Sequence, residues 1–220
     1  GIGNGDYVFD SYNALGKVYR WVAPIAGVSQ GDFVPSRSII TPKKQQMINS
    51  GIRWNYSKNN SIESEWALSN NDLNTFSSLA SNDNIGYSNR TRWLNTKKFG
   101  ASDSLSLWTL KSKAEIEFLS SAFNPIQQYR AVEFDRDWNT RNKGYQGHQL
   151  IGTLGSKLQH KKFGSMAIDA QYFGVGDDYN GNRIFSRGKW NQKGWSANWD
   201  ASYLSAEAES KSIFFRHRMN

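Results

Sequence analysis

The amino-acid sequence predicts an all-β protein, namely an antiparallel transmembrane β-barrel of about ten strands or a large segment of one. Three observations support this prediction. Apolar and polar residues alternate in many segments, 14% of the residues are aromatic, and the mean hydropathy is nevertheless −0.68. Strands that are apolar on one side and wet on the other combine many aromatic rings with a polar average.

The clearest alternation lies between residues 48 and 56. Ile52 and Trp54 share one parity, whereas Arg53 and Asn55 share the other. Because successive side chains of a strand point to opposite faces, this segment predicts a strand with one apolar face. The same pattern predicts further strands over residues 62–68, 85–94, 104–119, 148–160, 166–172, 183–189, 195–203 and 213–218.

Turn sequences separate these segments. Lys58-Asn59-Asn60-Ser61 and Lys161-Lys162-Phe163-Gly164 predict two hairpins, the first of which would bring Arg53 opposite Glu63 or Glu65. The pair Asn180-Gly181 is the strongest hairpin-turn signal and predicts a turn after Tyr172. Longer polar connections are expected over residues 70–84 and 139–147, so tight turns and long loops would alternate.

Length and composition favour one unit. No composition shift divides the 220 residues, so a single β-barrel-type domain over residues 1–220 is expected, as a fragment of a longer chain. The absence of cysteine excludes disulfides and thiol chemistry. No apolar run approaches the roughly 20 residues of a spanning helix, so any membrane crossing would use strands.

The distribution of charged residues along the sequence indicates which kinds of binding partner to expect. The net charge is +8, but Lys and Arg are dispersed among Asp and Glu without a basic arm. This dispersal argues against nucleic acid and favours anionic lipid headgroups. Outer-membrane lipids and other envelope proteins are therefore the expected partners.

Two residue sets follow from the alternation. The charged parity is expected to line an aqueous lumen and comprises Arg53, Glu63, Glu65, Arg90, Arg92, Lys111, Lys113, Glu115 and Glu117. The other parity is expected to face lipid or to stack on glycans and comprises Trp54, Trp66, Trp93, Trp108, Trp195, Trp199 and Tyr203. Trp and Tyr are enriched where a membrane protein meets the headgroup region.

Several short motifs carry a resemblance. Gly5-Asp6-Tyr7, Gly31-Asp32-Phe33-Val34-Pro35 and the run Asn71-Asp72-Leu73-Asn74-Thr75-Phe76-Ser77, with a weaker echo at residues 132–139, resemble the large, functionally uncharacterised outer-membrane β-barrel proteins of Bacteroidota. The resemblance implies the outer membrane of a Gram-negative bacterium, a barrel longer than this chain and no catalytic set. One departure is the ending Arg216-His217-Arg218-Met219-Asn220, which lacks the terminal aromatic residue usual in such barrels.

Enzymatic chemistry is not expected. Glu63 and Glu65 would lie roughly 6.5–7 Å apart on one strand, a spacing compatible with glycoside hydrolysis, but mid-strand glutamates opposite arginines are ordinary lumen or surface charges. Residues 177–182 concentrate oxygen ligands yet lack the glutamate that completes a calcium loop, so a hairpin explains them better. No catalytic residue, metal site or cofactor is therefore predicted.

The predicted function is that of a porin-like channel, a transporter or a scaffold in an envelope complex. The alternative is a soluble extracellular carbohydrate-binding or adhesive β-domain. Trp195, Trp199 and Tyr203 recur every four residues on one strand and would then form a row for stacking on sugars.

Overall fold

A computed structural model describes residues 5–35, 40–77, 79, 81–99 and 107–220. The chain forms two compact units, one ending at Thr41 and the other beginning at Pro42.

The first unit is built on a β-hairpin of β1 (Tyr7–Asn13) and β2 (Gly16–Trp21). Its two Gly-Asp-aromatic motifs pair with each other, because Gly5 lies opposite Gly31 and Tyr7 lies opposite Phe33 in antiparallel bridges. A Cβ atom on Gly5 would lie 2.1 Å from the Phe33 carbonyl oxygen. Glycine is therefore required at this close approach of two backbones.

The second unit is a nine-stranded antiparallel sheet in which each strand pairs with its neighbours in sequence. Its strands are β3 (Lys44–Ser57), β4 (Asn60–Asp72), β5 (Ile85–Phe99), β6 (Trp108–Leu119), β7 (Gln149–His160), β8 (Gly164–Val175), β9 (Tyr179–Gln192), β10 (Trp195–Glu207) and β11 (Lys211–Met219). The all-β, antiparallel part of the sequence prediction is confirmed. The sheet is open, with β3 and β11 as its edges, so the predicted closure into a barrel is not seen.

The strands of this sheet are long. They contain between 9 and 15 residues. Strands of globular proteins usually have about 5–6 residues, whereas a tilted strand needs about 9–11 to cross a membrane. Among the described residues, no helix has the length and apolar character needed to cross a membrane.

The register gives the sheet an apolar face and a charged face. Directly opposite residues share a face, so one apolar row crosses all nine strands: Trp54, Ile62, Trp93, Ala114, Leu154, Ala170, Ile184, Tyr203 and Phe215. The neighbouring row on the charged face reads Arg53, Glu63, Arg92, Glu115, Thr153, Gln171, Arg183, Leu204 and Phe214. The alternation in the sequence thus separates two surfaces of different chemistry.

The connections differ between the two ends of the sheet. Residues 58–59, 100–107, 161–163 and 193–194 connect strands at what we call the turn end. Residues 73–84, 120–148, 176–178 and 208–210 connect them at the loop end. Both of the longest connections lie at the loop end, but two short turns lie there as well, so the predicted alternation of tight turns and long loops holds only in part.

Two strand-level predictions need correction or restriction. The hairpin after Tyr172 exists, but its turn lies at residues 176–178, where Gly176 has a φ of +48°. Asn180 and Gly181 instead belong to β9, where Gly181 leaves room for the Tyr179 ring. The predicted strand over residues 104–119 begins at Trp108 in the structure, and its first residues, 104–106, lie outside the described residues.

The core of the second unit lies where the connection 120–148 packs on the charged face. This connection, here called the inward segment, contains the short helix α1 (Phe134–Trp138). Trp138 is only 3% exposed and packs with Phe173, Tyr179 and Leu204. The Tyr179 hydroxyl donates a hydrogen bond to the Trp138 carbonyl oxygen, which satisfies a polar group inside this cluster.

Candidate functional site

The charged face carries an array of ion pairs centred on Glu63. Arg53 on β3 and Arg92 on β5 both contact the Glu63 carboxylate from opposite sides. The register places these three residues in one row, as the sequence predicted for Arg53 and Glu63. Oppositely charged residues that lie directly opposite each other on neighbouring strands stabilise the pairing of these strands.

The array continues across β5 and β6. Arg90 Nη2 lies 3.1 Å from each carboxylate oxygen of Glu115, and Arg92 Nη1 lies 3.9 Å from the same carboxylate. Arg130 of the inward segment lies 3.1 Å from Glu117 and donates a hydrogen bond of 2.9 Å to Gln149. The inward segment is therefore tied into the same network.

Gly155 on β7 allows an ion pair to form between residues of the two strands on either side of it. Lys113, Gly155 and Asp169 occupy one row on β6, β7 and β8, and Lys113 Nζ lies 3.3 Å from Asp169 Oδ1. A Cβ atom on Gly155 would lie 2.1 Å from that oxygen. The missing side chain thus provides the space in which two residues on non-adjacent strands meet.

The inward segment crosses the charged face from one edge of the sheet to the other. Near its start, Asn124 accepts a hydrogen bond of 3.4 Å from Gln45 on β3. At α1, Asp137 lies 3.0 Å from Arg183 on β9 and 3.4 Å from Arg216 on β11. The inward segment consequently covers part of the charged face near the loop end.

A cleft of about 510 Å³ remains between the inward segment and strands β3–β6. Its lining includes Glu65, Arg90, Glu117, Phe123 and Tyr129. Partial burial raises the pKa of Tyr129 to about 12. The lining of the cleft combines apolar side chains such as Phe123 with the cationic Arg90 and the anionic Glu65 and Glu117.

The apolar face is uncovered over its whole width. Large exposed apolar side chains lie on it in every strand from β3 to β11, among them Trp54 at 62%, Leu154 at 66% and Ile184 at 51% exposure. Among the described residues of these strands, Met47 is the single large exposed apolar side chain on the charged face. The usual arrangement of a soluble sheet, with its apolar face buried, is thus reversed.

Aromatic rings concentrate on the apolar face at the turn end. Trp108 and His160 lie 4.5 Å apart between ring centroids, His160 and Phe163 lie 4.3 Å apart, and Phe163 and Trp190 lie 5.6 Å apart. Such a belt is typical of strands that end at a membrane interface.

The row proposed for glycan stacking is part of this larger surface. Trp195 and Tyr203 are exposed at 53% and 42%. The Trp199 ring covers Gly188, because a Cβ atom there would lie 2.0 Å from it, and its indole nitrogen donates a hydrogen bond of 3.1 Å to Ser186. Trp199 is therefore held by its own sheet, and the row is not a separate aromatic strip.

The structure brings each predicted residue set together on one face. All nine candidate lumen residues lie on the charged face, and all seven candidate lipid-facing or glycan-stacking residues lie on the apolar face. Their roles toward a lumen, lipid or glycan stay predictions. The sequence interpretation missed Arg130 and Asp137 as parts of the network, since both lie in a connection without strand periodicity.

The candidate sites that the sequence interpretation had set aside have other partners in the structure. Glu63 is held by two arginines, so it is not free to shuttle a proton. Asp178 accepts a hydrogen bond from the Gln146 backbone, and Asn180 accepts one from Tyr172. Within the described ranges, no group of three acidic, histidine or cysteine side chains could hold a metal ion.

Comparisons with known proteins identify no relative: no family model, no curated protein and no solved structure matches this chain.

Proposed function

We propose that the nine-stranded sheet forms part of the wall of an outer-membrane β-barrel. Its apolar face contacts lipid, its charged face lines the aqueous interior, and the protein acts without catalysis as a channel, a transporter or a scaffold of an envelope complex. The motifs Gly5-Asp6-Tyr7 and Gly31-Asp32-Phe33 make a Bacteroidota outer membrane the proposed location.

The observation that carries this proposal is the width of the uncovered apolar face. Nine strands spaced about 4.8 Å apart make a sheet roughly 38 Å wide, and a band about 25 Å tall gives on the order of 900 Å². The largest apolar patch of a soluble monomer is about 300–600 Å². A lipid bilayer covers a surface of this width without any further protein.

The charged face also supports an orientation in which it lines the aqueous interior and the apolar face contacts lipid. Many of its charges are paired with one another or with the inward segment, as at Glu63 and Asp137. Charged side chains inside a membrane protein face the protein interior or a water-filled cavity. Because the inward segment covers part of this face near the loop end, the proposed interior is narrowed at that end.

The test places probes on adjacent residues that point to opposite faces. Ile168 and Ala167 are neighbours on β8, on the apolar and the charged face respectively. The chain has no cysteine, so Ile168→Cys and Ala167→Cys each introduce a single labelling site. After reconstitution into vesicles, we expect a fluorophore at position 168 to be quenched by nitroxide lipids, and a fluorophore at position 167 to be quenched by aqueous iodide.

Heat-modifiable migration in detergent is the companion measurement. A chain that is monomeric in buffer without detergent, with both probes equally open to iodide, would contradict the proposal. Quenching of its tryptophan fluorescence by polysaccharide would then support the carbohydrate-binding alternative.

A further inference from the structure

We propose that the turn-end half of the charged face is a binding site for water-soluble multivalent anions that carry two or more phosphate groups. The site is the cationic cluster, defined here as Lys111, Lys157, Arg187, Lys189 and Arg218. It goes beyond the proposed function and does not depend on it, because anion binding can be measured with the chain in detergent or in buffer.

The register brings the cluster together. Lys111 and Lys157 are directly opposite each other on β6 and β7. The same row continues through Ala167 to Arg187, and then through Asp200 to Arg218. From Lys157 onward, cations alternate with Ala167 and Asp200 along this row, and Lys189 follows Arg187 on the same face of β9, so the cations border a common area.

Most of these cations lack an acidic partner. Arg187 lies 3.1 Å from Asp200, but Lys111, Lys157, Lys189 and Arg218 form no ion pair within the part of the chain that the structure describes. The array of ion pairs centred on Glu63 on strands β3–β6 differs, because Arg53, Arg90 and Arg92 all contact glutamates there. The unpaired cations therefore gather at the turn end of strands β6–β11.

The pairing of two lysines across β6 and β7 lowers the stability of the folded chain. Like charges directly opposite each other on neighbouring strands are destabilising, and Lys111 and Lys157 are such a pair. Nothing in the packing of the sheet requires two lysines at these exposed positions. A bound anion would convert this repulsion into charge-assisted hydrogen bonds.

Four of the five cluster residues line a recess of suitable size. A hollow of about 540 Å³ is lined by Lys157, Arg187, Lys189 and Arg218, with the small residues Ser165 and Ala167 among its lining. Lys157 and Arg187 are two strands apart, or roughly 10 Å between backbones, and their long side chains can converge. This spacing fits a diphosphate or a larger polyanion better than a single phosphate.

The charge of the recess also favours multivalent anions over uncharged ligands. The acids Asp169 and Asp200 share its lining, but each already contacts a cation, namely Lys113 or Arg187. An uncharged sugar would leave three cations of the lining, Lys157, Lys189 and Arg218, unneutralised, whereas a diphosphate would neutralise most of their charge. The recess therefore favours multivalent anions over neutral solutes.

The experiment measures pyrophosphate binding to the full chain by calorimetry, with inorganic phosphate as a second probe. The test variant is Lys157→Gln with Arg218→Gln, and the matched control is Lys44→Gln with Lys58→Gln, which removes two exposed charges elsewhere. We expect the test variant to weaken pyrophosphate binding at least about tenfold, the control to change it less than about twofold, and phosphate to bind more weakly.

Thermal unfolding serves as the folding control. Because Lys157→Gln removes a like-charge pair, the test variant should be at least as stable as the unmodified chain while binding pyrophosphate less well. Equal losses in both variants would indicate general attraction by net charge and would overturn the proposal, as would undetectable binding to the unmodified chain. Cluster-dependent binding to phosphatidylglycerol vesicles without pyrophosphate binding would assign the cations to lipid headgroups and also overturn it.

Discussion

Glu63 shows how much of the charged face depends on single residues. Its side chain is about one-tenth exposed and accepts contacts from Arg53 and Arg92, whereas Glu65, two residues further along the same strand and face, is exposed. Glu65 forms no ion pair with any described residue. In the sequence, the two glutamates belong to the same strand and have the same parity. Only the register shows that Glu63, and not Glu65, lies between two arginines.

We therefore predict that Glu63→Gln lowers the free energy of unfolding by about 1–3 kcal/mol, between the values for an exposed and a buried ion pair. The loss arises because two arginines are left facing each other without a neutralising carboxylate. Urea denaturation measures it. Glu65→Gln is the matched control and should change the unfolding free energy by less than about 0.5 kcal/mol; equal effects of the two variants would show that the contacts of Glu63 carry no stability.

At the scale of elements, the inward segment is the feature that strand periodicity does not predict. The sequence indicated a polar loop at residues 139–147, but the structure places the whole connection 120–148 on the charged face, with Trp138 in a buried cluster. Gly86 permits the close approach, since a Cβ atom there would lie 2.2 Å from the backbone nitrogen of Phe123. The segment is therefore an integral part of the sheet's packing.

Trp138→Ala should release the inward segment from the sheet. Removal of a buried tryptophan costs about 3–5 kcal/mol, so we expect the tryptic sites at Arg136, Arg141 and Lys143 to be cleaved at least about tenfold faster. Limited proteolysis followed by mass spectrometry measures the rates, with circular dichroism to verify that the strands persist. Val132→Ala changes an exposed residue of the same segment and is the control; unchanged cleavage in the Trp138 variant would mean that the cluster does not hold the segment.

At the scale of the whole sheet, strand direction limits how a barrel can close. Neighbouring strands are antiparallel throughout, so β3 and β11, which are eight steps apart, run in the same direction. Direct contact between them would make a parallel pair. An all-antiparallel barrel therefore needs an odd number of further strands between β3 and β11.

We predict that a short thiol cross-linker does not join β3 to β11 in the reconstituted protein. The variant pair is Ile52→Cys with Phe215→Cys, both on the apolar face. The positive control is Asn49→Cys with Ala67→Cys, which are directly opposite on β3 and β4 and should cross-link efficiently. Efficient cross-linking of β3 to β11 within one chain would instead indicate closure through a parallel pair.

Strand existence and face chemistry were predictable because alternation is a local property. Ile52 and Trp54 on one side and Arg53 on the other identify a two-faced strand without knowledge of its neighbours. The turn at Asn180-Gly181 was misplaced because turn propensity is also local, and here Gly181 serves the packing of Tyr179 instead. Predictions from local sequence are wrong where a residue is required by a contact with a residue or strand that is distant in sequence.

The all-β class, the long amphipathic strands and the division into an apolar and a charged parity were readable from the residues alone, since each depends on a period of two. Three further features emerge only from the folded chain: the pairing of Glu63 with two arginines, the docking of Asp137 on Arg183 and Arg216, and the gathering of unpaired cations at the turn end. Each of these brings together side chains from separate strands or connections. Their proximity depends on the order of the strands and on the docking of the inward segment, which a period of two does not encode.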